Sequence, residues 1–304
     1  MIIVVAPGQG SQTPGFLSPW LEDTSAWETL SRLSEHAELD LVLHATLSDA
    51  DTIRDTRIAQ PLIVAAGILT LEALLAGGRR LSGIAGHSVG EITAAAGAGI
   101  LTSEEAIRLV AERGRAMAEA AAQVETGMSA VVGGDEAVVL DTIASHGVFP
   151  ANYNGGGQLV VAGPRPALAE LGANPPAGSR VIPLQVAGAF HTEYMAPAVD
   201  RMRAVAGTLT PRDPATRIWT NKDGSEVTSG AEFLDLLVGQ VSSPVRWDRC
   251  MESFAAAGVT GIIELAPAGA LTGLAKRALR GIPTVAVKTP ADLEAAHALL
   301  DGDK

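Results

Sequence analysis

Gly86-His87-Ser88-Val89-Gly90 sets a serine between two glycines, after the apolar run Leu81 to Ala85 and ahead of the alanine-rich segment Val89 to Ala98. A serine so placed needs a strand, a very tight turn and a helix in immediate succession, which is the arrangement of a nucleophile elbow. Few folds other than α/β layers provide that succession. The turn offers a hydroxyl for acyl transfer and a backbone N–H to receive the charge formed during attack. A glycine-rich turn carrying a merely structural serine is the plainer alternative.

The rest of the chain supports an α/β reading. Ile2 to Ala6 is short, apolar and rich in branched side chains, which predicts a buried strand that Pro7-Gly8-Gln9-Gly10 ends. Helices are expected at Pro61 to Leu75, at Val89 to Ala98, and from Thr102 to Ala121, where Thr102-x-x-Glu105 has capping-box spacing. From about residue 125 the rhythm changes. A strand (128–132), a helix (136–145), two strands around Gly155-Gly156-Gly157 (149–154 and 158–162), a short helix (166–171) and a last strand (181–186) follow in the order βαββαβ. That order predicts a small ferredoxin-like domain at 125–186, inserted into a larger α/β domain made of 1–124 and 187–304. Helices at 231–238, 246–257 and 270–279 and strands at 259–265 and 284–288 continue the larger unit.

A net charge of −12 argues against adhesion to nucleic acid or to an anionic membrane. No apolar run reads as a membrane span, and Cys250, the single cysteine, allows no intrachain disulfide. A cytoplasmic protein is the expectation. The histidines show no compact metal-ligand spacing, so neither a metal nor a bound cofactor is expected.

A serine nucleophile needs a base, and spacing alone does not choose among six histidines. His87 adjoins Ser88, but neighbours on an elbow need not face each other. His191, in Gly188-Ala189-Phe190-His191, follows the inserted segment and is suited to lie over a cleft, although a structural histidine fits equally. No acidic partner has diagnostic spacing. On pattern alone Arg113 reads as a solvent-facing helix residue, Asn152 and Asn154 as strand-end hydrogen bonders, Phe190 as core and Gln9 as a turn residue.

Gly86-His87-Ser88-Val89-Gly90-Glu91, Pro7-Gly8-Gln9-Gly10, Gly188-Ala189-Phe190-His191, Asn152-Tyr153-Asn154 and Gln240-x-x-x-Pro244-Val245-Arg246-Trp247 together resemble the malonyl-CoA:acyl carrier protein transacylase family. The resemblance runs through essentially the whole chain. It implies an α/β-hydrolase-like large domain with the small ferredoxin-like domain at its cleft. It also implies Ser88 as nucleophile, His191 as general base, and a backbone carbonyl near Gln240 in place of a carboxylate orienting the histidine. The N–H groups of Gln9 and Val89 would form the oxyanion hole. Arg113 would bind the free carboxylate of a malonyl group, with Asn152 and Asn154 as further contacts. Malonyl-CoA is then the donor and the phosphopantetheine thiol of an acyl carrier protein the acceptor. Fatty-acid and polyketide biosynthesis both remain open, and a monomer is the family-level expectation. A serine thioesterase or esterase, with water as acceptor, is the nearest alternative; a noncatalytic carrier-protein interaction subunit is another.

Phe190 before the histidine and Val89 after the serine resemble the pattern of malonyl-selective rather than methylmalonyl-selective relatives. Steady-state kinetics with both donors should therefore give a clearly higher kcat/KM for malonyl-CoA. Equal values would exclude steric discrimination at the α-carbon.

Overall fold

The computed structural model describes residues 1–302. Five parallel strands form the main sheet: β1 (Ile2–Ala6), β2 (Gly83–Gly86), β7 (Arg217–Trp219), β9 (Gly261–Glu264) and β10 (Thr284–Ala286), in the order β10-β9-β1-β2-β7. Side chains of β1 alternate between the two faces. Ile2, Val4 and Ala6 enter one apolar core, whereas Ile3 and Val5 join Trp219, Trp247 and Phe254 in the other. Both faces are covered by helices, as a parallel sheet requires. The result is a hydrolase-like core carrying an inserted small subdomain.

The small sheet contains β3 (Thr126–Gly133), β4 (Phe149–Gly155), β5 (Gln158–Pro164) and β6 (Ser179–Leu184) in the antiparallel order β6-β3-β5-β4, with helices Glu136–Ser145 and Arg165–Ala173 between strands. This is the ferredoxin-like arrangement. A fifth strand, β8 (Val245–Arg246), comes from outside 125–186 and pairs in parallel with β4, Asn152 opposite Val245 and Tyr153 opposite Arg246. The segment 246–257, expected to be wholly helical, therefore begins as a strand, and its helix runs Trp247–Ala256.

The helix expected to begin at Pro61 begins at Thr56 and ends at Leu75, because the Asp55 side chain accepts the Arg57 N–H and caps an earlier first turn. Pro61 lies inside the helix, and the added turn places Gln60 in the interior. By length and apolarity this helix satisfies the requirement for a membrane span, contrary to the expectation from the sequence, but 78% of its most apolar window is buried within the protein. It is the central helix of the main core.

The loops after β1 and β2 leave the carboxyl ends of neighbouring strands, where open α/β sheets form their crevices. They are drawn together by a hydrogen bond from His87 N–H to the Ala6 carbonyl, 2.9 Å. No room is left for side chains at either glycine of the turn. A Cβ on Gly86 would stand 1.9 Å from the Gly90 carbonyl carbon, and one on Gly90 would stand 2.2 Å from Ala6 O. Both obstacles are backbone atoms. We expect Gly90→Ala to lower stability by about 3 kcal/mol or more through overpacking. Gly273→Ala, inside helix Ala270–Ala278 with open space around its Cβ, should instead gain about 0.5–1 kcal/mol. Urea denaturation of the two variants checks both signs.

Candidate active site

Ser88 occupies the left-handed region at φ 53, between the end of β2 and helix Gly90–Gly97. A non-glycine residue there is strained and must be held by its surroundings. Asn221, fully buried just beyond β7, supplies much of that hold: its Oδ1 accepts the Ser88 N–H at 2.7 Å and its Nδ2 donates to Gly86 O at 2.8 Å. One amide thereby grips the turn on both sides of His87. The Asn221 backbone N–H in turn donates to Glu91 Oε1, 2.6 Å. Asn221 carries no local sequence signal for this role, because its partners in the turn lie 130 or more residues before it.

The structure brings His191 to Ser88, with Nε2 2.6 Å from the serine Oγ. Nδ1 lies 2.9 Å from Gln240 O. A carbonyl can only accept, so Nδ1 carries the proton and Nε2 is the acceptor facing the hydroxyl. His191 is buried and itself left-handed, φ 62, with its N–H donated to Val241 O at 3.2 Å. Burial foremost, then the positive charge of Arg113, pushes its pKa down to about 3 from 6.5. The imidazole is neutral in the resting protein.

Arg113 is 1% exposed on helix Ser103–Ala121, which corrects the pattern-based view of it as a solvent-facing residue. Its Nη1 donates to Gln60 Oε1 at 2.8 Å and its Nη2 to Gln240 Oε1 at 2.9 Å, with Ser88 Oγ 3.4 Å from Nη2. Its Nε is buried without a partner. Desolvation lowers the guanidinium to about 10, against an opposing pull from Glu91, so it stays charged. Gln240 joins the groups: its Nε2 donates to Ser88 O at 3.1 Å and to Glu91 Oε2. Burial raises the Glu91 carboxyl to about 8.

Among the described residues, the N–H groups of Gln9 and Val89 have no hydrogen-bond acceptor within the chain. Phe190 is buried at 6% exposure beside His191. Asn154 is committed to the protein: its Oδ1 accepts from His87 Nε2 at 2.9 Å, and its Nδ2 donates to Gln158 Oε1 at 2.9 Å. It braces the elbow against the small sheet. Asn152 Oδ1, by contrast, is buried without a partner. Of the basic residues near the C-terminal half, Arg246 is engaged bidentately by Asp248 and Arg249 by Glu252, while Lys276, Arg277 and Arg280 are exposed. The described residues contain no cluster of histidine, cysteine and carboxylate groups able to hold a metal ion.

Residues 3–294 match the family described as acyl transferase domain. Over 299 residues the chain is 49% identical to the malonyl CoA-acyl carrier protein transacylase of Mycobacterium tuberculosis, covering 97% of this chain and 98% of that one. It is 33% identical over 300 residues to the protein of the same name from Escherichia coli K12, covering 96% and 97%. A crystal structure of MCAT from Mycobacterium tuberculosis superposes with a TM-score of 0.93 at 48% identity, over 98% of this chain and 99% of that one. A malonyl-transacylase solved in complex with a type II PKS acyl-carrier protein superposes with a TM-score of 0.92 at 30% identity, over 98% and 99%.

The depressed His191 pKa has a consequence for stability. Between about 3 and 6.5 the unfolded chain binds a proton at this residue that the folded chain does not. This contribution is complete above pH 6.5 and is lost as pH falls through that window. Glu91, raised to about 8 from 4.5, acts in the opposite sense, stabilising towards lower pH between those values. In urea titrations, His191→Asn should gain stability relative to the parent as pH drops below 6.5, and the difference should level off above it. A difference independent of pH would contradict the neutral, buried imidazole.

Proposed function

We propose, for a chain that belongs to the malonyl-CoA:acyl carrier protein transacylase family, a mechanism in which Ser88 is the nucleophile and His191 its general base. The chain is an acyltransferase that moves a malonyl group from malonyl-CoA to the phosphopantetheine thiol of an acyl carrier protein. The observation that carries the assignment of residues is the buried, partly unsatisfied Arg113 beside the Ser88–His191 pair. A malonyl thioester has a carboxylate and a reactive carbonyl separated by a single methylene. A cation 3.4 Å from the serine oxygen suits that spacing. The guanidinium can offer the carboxylate a directional, charge-assisted pair.

In the first half-reaction His191 Nε2 takes the Ser88 proton as Oγ attacks the thioester carbon. The negative charge that develops on the carbonyl oxygen is received by the N–H groups of Gln9 and Val89. Losing one such donor costs about 3–4 kcal/mol of transition-state stabilisation. Collapse expels the coenzyme A thiolate, which recovers the proton from His191, and leaves malonyl-Ser88. The carrier's thiol then attacks the ester, giving its proton to His191, and the malonyl carrier departs as Ser88 is reprotonated. The Gln240 carbonyl orients the imidazole throughout. It stabilises the transient imidazolium through a neutral dipole, where a carboxylate would supply a full charge. Phe190 limits space beside the α-carbon, and Asn152 supplies an open acceptor for the acyl donor. Asn154 belongs to the same wall but acts through His87. A cytoplasmic setting is part of this reading, supported by the role of helix Thr56–Leu75 as a core helix and by the buried free thiol of Cys250.

Intact-protein mass spectrometry tests the scheme. Brief incubation with malonyl-CoA should add one malonyl group to the parent and none to Ser88→Ala, and phosphopantetheinylated carrier should discharge it. Discharge mainly to free malonate would identify a hydrolase instead. Carrier binding without any adduct would point to a noncatalytic interaction subunit.

A further inference from the structure

Arg113 is held by amides, and this has consequences for which acyl groups the site accepts. Buried guanidinium groups are ordinarily paired with a carboxylate, because an unpaired interior charge is costly. Here the two fixed acceptors, Gln60 Oε1 and Gln240 Oε1, are both neutral. Glu91, whose carboxyl is pushed up to about 8 by burial, bonds to the far end of the Gln240 amide rather than to the guanidinium. No direct Arg113 ion pair occurs among the described residues.

Gln60 is 1% exposed. Its orientation follows from chemistry: a guanidinium has no acceptor, so the amide oxygen faces Arg113. The Nε2 is then turned towards Met117 Sδ, 3.4 Å away, a weak acceptor. A glutamate of the same length would place a full negative charge where the amide oxygen now sits, and would spare the amide its poor partner. The amide instead holds the guanidinium in place and brings no countercharge.

We infer that Gln60 is a specificity-determining residue, which fixes the Arg113 side chain while leaving its charge uncompensated, and so reserves the guanidinium for an acyl group that brings its own carboxylate. The inference rests on the malonyl reading above. A carboxylate at position 60 would act as an internal substitute for the substrate's anion. Donors with a free carboxylate would then meet a neutral pair and an added negative charge, whereas an acetyl donor would lose nothing by the exchange.

The experiment measures kcat/KM for malonyl-CoA and acetyl-CoA with the parent, Gln60→Glu and Gln60→Leu. For Gln60→Glu the malonyl-to-acetyl ratio should fall by about 100-fold, the scale of losing a buried charge pair. For Gln60→Leu, which removes the hold without supplying a charge, the ratio should fall by about 10-fold, the scale of one hydrogen bond to a charged group, chiefly through the KM for malonyl-CoA. Equal losses for both donors in either variant would reduce Gln60 to a structural residue and overturn the inference, while malonyl-Ser88 formation by the parent would leave the wider reading standing. A parent that does not prefer malonyl-CoA would overturn both.

Discussion

The site depends on the closeness of two backbone turns, those following β1 and β2. Gly90 packs against the Ala6 carbonyl at a distance that excludes a methyl group, and His87 N–H is bonded to the same oxygen. Within the turn so packed, Ser88 is left-handed, and Gln9 and Val89 lie on the two loops that the contact joins. The strain is met locally by Asn221, which grips the peptides on either side of His87. The placing of Ser88 is thus a property of sheet geometry and of one buried amide, before any partner of its hydroxyl is considered.

Around this turn the protein keeps its polar groups buried and economically shared. Gln240 serves four of them at once: its carbonyl meets His191, its side-chain oxygen meets Arg113, and its nitrogen meets Ser88 O and Glu91. Such a network fixes positions without cancelling charge. The imidazole is kept neutral by burial and by the adjacent guanidinium, and that guanidinium keeps one donor without a protein partner. His191 and Arg113, the proposed general base and anion site, adjoin one another in positions closed to water.

Much of this was legible in the sequence because the signals were local. The elbow glycines, the Thr102–Glu105 capping box and the βαββαβ order each lie within a short window, and the structure has all three. Helices Thr24–Ala37 and Ala196–Ala206 and strand β7 went unread, although Asp23 caps the first and Leu30, Leu33 and Ala37 mark its buried stripe. β7 has only three residues and owes its strand form to pairing with β2. The burial of Arg113 was invisible to helix periodicity, since a guanidinium inside a core is what pattern reading excludes; family resemblance supplied it. Asn221 and Gln60 gave no local signal, because each acquires its partners only when distant segments meet.

Strand β8 joins the two sheets in a way that bears on how the cleft can move. The small subdomain is connected to the rest by its two chain crossings, by hydrogen bonds between β4 and β8, and by the His87–Asn154 contact. Both noncovalent ties fall on β4, through Asn152 and Tyr153 on one hand and Asn154 on the other, so this strand is the part of the small subdomain pinned to the elbow. The cleft wall next to Ser88 is therefore the tethered one, and the long thiol arms of two successive bulky visitors have to thread past a strand fixed to the same turn that presents the serine.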